Sequence, residues 1–162
     1  QRLQTLSRLG FNRLSFGVQD FDPAVQKAVH RVQPAEQVFA LVEAARKIGF
    51  KSLNVDLIYG LPKQNPQSFA RTLEQVGELR PDRIALYGYA HLPESSKSQR
   101  RNVRHDLPTE GDKMDMLSAA IDGYIAEGYE YVGLNHFARP DAALPIAKRQ
   151  RHFTITFHGS RT

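Results

Sequence analysis

The 162-residue chain contains no cysteine and no tryptophan. Without cysteine, these residues form no disulfide, no thiolate nucleophile and no thiolate-held metal or iron–sulfur cluster. Long apolar runs are missing too, and none reaches the roughly 18 residues that suggest a membrane span. There is no GxGxxG, no Walker-type loop, no GxSxG, and no HxxxH or HxH. Dinucleotide, P-loop, nucleophile-elbow and simple zinc signatures are therefore not available, and no metal site made by this chain alone is expected. The amino terminus, Gln1-Arg-Leu-Gln-Thr-Leu6, has no signal-peptide pattern and no initiating Met. It reads as the end of a helix stopped by Gly10, so a chain that starts mid-protein, in a cytoplasmic setting, is the expectation.

Hydrophobic residues make up 41% and charged residues 24%, ordinary values for a globular chain long enough to bury a core. The net charge is +5, with basic bunches at Arg100, Arg101 and Arg104 and at Lys148, Arg149 and Arg151. Such clusters are either solvated surface or a docking surface for an anionic ligand. No aromatic or groove-reading partners accompany them, so neither nucleic acid nor membrane is an expected partner.

What is present is a repeating strand ending. Short apolar runs at 12–19, 52–58, 83–89 and 129–134 each break off at Gly, Pro or polar residues, and amphipathic helical stretches follow the first three. Alternating strands and helices imply a parallel sheet, because parallel neighbours need a crossover. Asp22-Pro23 and Asn65-Pro66 pair a capping side chain with Pro in the first turn, and Pro108-Thr109 opens a third helix. Gly49 and Gly128 mark helix stops. The stretch 91–107 is the longest irregular connection, a helix is expected near 141–149, and 151–162 reads as a basic tail separate from the domain at 1–150.

Ligands of parallel sheets sit at the carboxyl ends of the strands. The candidates there are Gln19, Asp56, Tyr89, His91, and Asn135 with His136. Asp56 shares a strand face with Asn54 by simple alternation, and a carboxylate in such a strand needs a partner. It serves either an internal salt bridge or recognition of a cationic or hydroxylated ligand. Arg31, beyond the first capped helix, offers a planar fork suited to a carboxylate.

Five segments carry a more specific likeness: Asn12-Arg-Leu-Ser-Phe-Gly-Val-Gln-Asp-Phe21, Val29-His-Arg31, Asn54-Val-Asp-Leu-Ile-Tyr-Gly-Leu-Pro-Lys-Gln64, Tyr89-Ala-His-Leu-Pro93 and His136-Phe-Ala-Arg-Pro140. Together they resemble the oxygen-independent coproporphyrinogen III oxidases, radical S-adenosylmethionine (SAM) enzymes of haem biosynthesis. The resemblance implies an α/β fold, part of a radical SAM (β/α)₆ partial TIM barrel, with about four parallel strands in this chain. It implies SAM and a [4Fe–4S] cluster as cofactors, coproporphyrinogen III as substrate, an external electron donor, and a monomer. By motif match, Gln19, Arg31 and Asp56 fall on SAM-contacting positions, and Ala90 on a backbone contact with SAM. No catalytic residue is assigned. The basic 100–104 segment is a candidate for meeting substrate propionates.

Three departures stand out. The family's CxxxCxxC cluster motif would lie upstream of Gln1, as would its glycine-rich SAM loop. Asn135 stands where Asp is usual before His-Phe-Ala, and Phe153–Thr162 diverges from the family pattern. The chain thus resembles the middle of such an enzyme, inactive alone. A haem-chaperone homologue of the same superfamily, or a cluster-free ligand-binding α/β module, are the alternatives.

Overall fold

A computed structural model describes residues 2–89, 106–133, 135–140 and 151–156. Helix α1 (Arg2–Arg8) leads through Gly10, at φ +97°, into β1 (Phe11–Gln19). The next helix, α2 (Pro23–Ala28), begins where Asp22 accepts from the Ala24 and Val25 amides. Then come α3 (Ala35–Ile48) and β2 (Ser52–Tyr59). Gly49, left-handed at φ +110°, ends α3, and no other residue type enters that conformation as cheaply. The fourth helix, α4 (Pro66–Leu79), starts at a reciprocal capping box between Asn65 and Ser68. Beyond it lie β3 (Arg83–Gly88) and α5 (Glu110–Ala126), the latter capped by Thr109. Short strands β4 (Glu130–Gly133) and β5 (His136–Ala138) follow, and β6 (Arg151–Thr156) is the last described element.

These strands form one sheet in the order β4-β5-β3-β2-β1-β6. Strands β6, β1, β2 and β3 are mutually parallel, as the alternation of strand and helix requires. The register lays Phe16, Val55, Ile84 and Phe137 side by side across four strands, all essentially inaccessible to solvent. This row is the spine of the core, and Val38 and Val42 of α3, Phe69 and Val76 of α4 and Met116, Ala120 and Tyr124 of α5 cover it. At roughly 1.5–3 kcal/mol for each fully buried large apolar side chain, this face is the main source of stability.

Two expectations need correction. The fourth run keeps the direction of β1–β3 but is not the neighbour of β3: the chain turns back after it as a hairpin, and β5 lies between, antiparallel to both β4 and β3. Gly133 (φ +98°) and Asn135 (φ +59°) both adopt left-handed backbone, which reverses the chain within a few residues. The helical crossover α5 carries the chain from β3 to the co-directional β4, whereas only two residues separate β4 from β5, which leaves antiparallel pairing for that neighbour. The second concerns 151–156, expected within a basic tail: it is a strand lying parallel to β1. The helix expected near 141–149 lies outside the described residues.

Candidate functional site

The face of the sheet opposite the apolar row is polar. There the register aligns Gly17, Asp56, Ala85 and His136, and next to them Ser15, Asn54 and Arg83. Asn54 Nδ2 donates to Ser15 Oγ at 3.4 Å, and Ser52 Oγ donates to Asn54 Oδ1 at 3.2 Å. Arg13, on the same face, has its pKa lowered by burial and secondarily by the charge of Arg83. The amino-terminal half of this face is therefore cationic. Towards the carboxyl ends, Tyr87 meets His136 edge to face with ring centroids 6.1 Å apart. The Tyr87 phenol is held above its usual pKa by burial, and then by the Asp56 carboxylate.

Gln19 closes β1 in an unusual conformation. The Asp20 amide donates to the Val18 carbonyl at 2.7 Å while Gln19 has φ +65°, a γ-turn of the strained form. A non-glycine residue held there costs roughly 1–3 kcal/mol and persists only where its surroundings impose it. The register slips between Gly17 and Gln19, so that Gln19 pairs with Leu57 instead of continuing the Gly17–Asp56 alignment. Simple alternation, which would put Gln19 on the Asp56 face, therefore does not apply across this slip.

The cause of that conformation lies in Asp20, which is 1% exposed. Its Oδ1 accepts from the Asp22 amide at 2.7 Å and from Thr72 Oγ1 at 2.5 Å, and its Oδ2 from Gln64 Nε2 at 2.5 Å. Burial raises its pKa, and the bonds from Thr72, Asp22 and Gln64 partly oppose that rise. Gln64 is fully engaged: Oε1 accepts from the amides of Gly60 (2.5 Å) and Leu61 (3.0 Å), and Nε2 also donates to the Ile58 carbonyl (3.0 Å). The loop beyond β2 is thereby tied to the turn beyond β1.

Arg31 belongs to the same assembly through its backbone. Its amide donates to the Gln26 carbonyl at 2.9 Å, while Gln26 Nε2 donates to the carbonyls of Asp20 and Gln33, each at 2.9 Å. Gln26 thus fixes the turn between α2 and α3 against the end of β1. A neighbouring cleft of 580 Å³ opens between this turn and α4, lined in part by Phe21, Gln26, Val32, Arg71 and Thr72.

Of the residues singled out in the sequence, Gln19 and Asp56 lie in the carboxyl halves of adjacent parallel strands. Arg31 is held behind the first of these. Tyr89 follows β3, with its amide donating to the Tyr59 carbonyl at 2.9 Å. Ala90, His91 and the basic 100–104 segment lie outside the described residues. Sequence reasoning missed Asp20, Gln26, Gln64 and Thr72 as a network. The available signal was that Asp20 and Gln64 both stand inside the motif segments, next to or a few residues past the assigned positions.

Comparison with known proteins agrees with this fold. Residues 1–76 match the model of the radical SAM superfamily. The oxygen-independent coproporphyrinogen III oxidase of Pseudomonas aeruginosa is 50% identical over 157 residues, which is 97% of this chain and 34% of that protein. Its Escherichia coli counterpart is 49% identical over 160 residues, 99% of this chain and 35% of that protein. The chain thus spans about a third of the length of the curated relatives it matches. The solved structure of coproporphyrinogen III oxidase from Escherichia coli, described as a radical SAM enzyme, superposes with a TM-score of 0.83 at 52% identity. That match covers 86% of this chain and 32% of the other.

Proposed function

We propose that this chain is a radical SAM protein and carries the SAM-binding part of an oxygen-independent coproporphyrinogen III oxidase. The observation that carries this reading is identity close to one half sustained along nearly the whole chain. Bound SAM would supply the hydrogen-abstracting chemistry that starts oxidative decarboxylation of two propionate side chains of coproporphyrinogen III.

The residues present suit SAM. Arg31 offers a bidentate fork for the methionine carboxylate, Asp56 an acceptor for ribose hydroxyls or the ammonium, and Gln19 an amide to orient the ligand. Ala90 would add a backbone contact. A [4Fe–4S] cluster does not fit this chain, which has no cysteine to hold it. Cluster ligands and turnover would accordingly require residues beyond these 162, and an external electron donor would serve that cluster. Among the described residues no helix is long and apolar enough to cross a membrane. A cytoplasmic monomer is the working form we propose.

Titration calorimetry of the chain with SAM tests this. Wild type should bind, and Arg31→Gln and Asp56→Asn should each bind roughly ten- to a hundredfold more weakly, as loss of a charge-assisted contact implies. Absence of binding, or variants indistinguishable from wild type, would refute the assignment.

A further inference from the structure

We propose that Asp20 is the positioning residue of this site: its buried carboxylate holds together, through Gln64 and through the backbone that Gln26 grips, the three segments that present Gln19, the Gly60 loop and Arg31. The inference rests on the SAM-site reading above and deepens it. No ligand contact is assigned to Asp20 itself.

The geometry is one of complete satisfaction around a charge that has no cation. Three neutral donors reach the carboxylate, from the Asp22 amide, Thr72 and Gln64, and no salt bridge to Asp20 is seen among the described residues. Asp20, Gln26, Gln64 and Thr72 are each no more than 5% exposed. Burying a carboxylate on neutral donors alone is a poor way to gain stability, since a well-packed apolar group of the same volume does as well or better. What the arrangement does supply is definition. Gln64 spends both donor hydrogens and both acceptor directions on four fixed partners, so the Gly60 loop has one seat relative to β1. Gln26 does the same for the Arg31 turn, donating to Asp20 and Gln33 while accepting from the Gln33 amide at 3.0 Å. The strained φ of Gln19 is then imposed from both sides, by the Val18–Asp20 backbone bond and by the anchored carboxylate one residue later. Binding sites whose groups are held by a fully bonded supporting shell lose affinity when that shell loosens, even where no contact residue changes.

The test compares SAM affinity with stability. Asp20→Asn keeps the size but sets an amide donor against Gln64 Nε2, and Thr72→Val removes one of the three carboxylate donors more gently. Val76→Ala, in the buried core face of α4, serves as a control that lowers the melting temperature without touching the network. Well below each variant's melting temperature, Asp20→Asn should weaken SAM binding at least tenfold and Thr72→Val severalfold, while Val76→Ala stays within twofold of wild type. Equal affinity in Asp20→Asn and wild type, or a loss in Val76→Ala that tracks its melting temperature, overturns the proposal. Amide exchange supplies a readout that needs no ligand: Asp20→Asn should deprotect Gly60, Leu61 and Arg31, and unchanged protection there defeats the tie. Failure of the wild-type chain to bind SAM would instead remove the SAM-site reading, leaving the tie to be decided by exchange alone.

Discussion

Raising the pH above about 10 should unfold this protein through two buried phenols. Tyr129 donates to the Pro81 carbonyl at 2.5 Å, and Tyr124 to the Leu73 carbonyl at 2.9 Å. Their rings meet edge to face at 5.7 Å, and their hydroxyls tie α5 and the turn after it to α4 and to the turn before β3. Burial, ahead of nearby charges, pushes the Tyr129 pKa up to about 12. Tyr124 is raised as well, by burial first and then by Glu127 and Tyr129. An unfolded chain releases these protons near pH 10, so the folded state binds more protons across the interval above it. The stability they contribute is therefore full below about pH 10 and is lost as the pH climbs through the folded value. For Tyr129 alone the gap between 10 and about 12 corresponds to about 2–3 kcal/mol. That is a large share of the roughly 5–15 kcal/mol that separates folded from unfolded domains. The assay is a base titration followed by tyrosinate absorbance and far-ultraviolet circular dichroism together. The last tyrosines should ionise only as helix content collapses. Tyr129→Phe should be about 1 kcal/mol less stable at neutral pH, from the lost hydrogen bond. Its deficit should close, or reverse, in alkali. If all tyrosines ionise near pH 10 with the fold intact, or if the two pH profiles run parallel, the reasoning is wrong.

Other perturbations give equally definite outcomes. Phe137→Ala removes a ring with no solvent exposure that contacts Tyr124 at 5.7 Å and Tyr131 at 5.5 Å, and should cost about 3–5 kcal/mol in urea denaturation. Asn65→Ala breaks the capping box of α4, where Asn65 Oδ1 accepts from the Ser68 amide at 2.8 Å; a loss of about 1 kcal/mol should appear as a lower midpoint. Gly60→Ala places a side chain at φ +92°, which should lower stability by about 1–2 kcal/mol and weaken SAM binding, since this glycine's amide bonds Gln64. A neutral result in thermal melts would show that the loop can relax without that tie.

Most elements were legible because the chain punctuates them with residues of definite mechanism. Asp22-Pro23 and Asn65-Pro66 announce helix starts, and Gly49 announces a stop, each by chemistry confined to a few neighbouring residues. The β4–β5 hairpin was not legible from alternation alone, since the pattern of strand and helix favours a further parallel strand. Gly133 with Asn135 held the contrary signal, a pair of residues tolerant of left-handed backbone. Residues 151–156 read as a tail on account of their basic neighbours, although Phe153-Thr-Ile-Thr156 has the alternation of a strand. The Asp20 network was hidden for a different reason. Its members stand 6 to 52 residues apart, and a one-dimensional pattern does not say which polar side chains meet. The bulge before Gln19 likewise defeats period-2 counting at the position where the strand face matters most.

The partnership of β1 with β6 bears on how this molecule reaches its native state. Phe11 lies opposite Arg151, so the two strands that meet were made 140 residues apart. Closing so long a loop carries an entropic penalty of about 4 kcal/mol, met before any of that ladder's hydrogen bonds form. During synthesis the outer edge of β1 stays bare until residues 151–156 have left the ribosome. A strand that waits unpaired is the place where a second nascent copy would attach, and folding at low protein concentration should give the higher yield of native molecules.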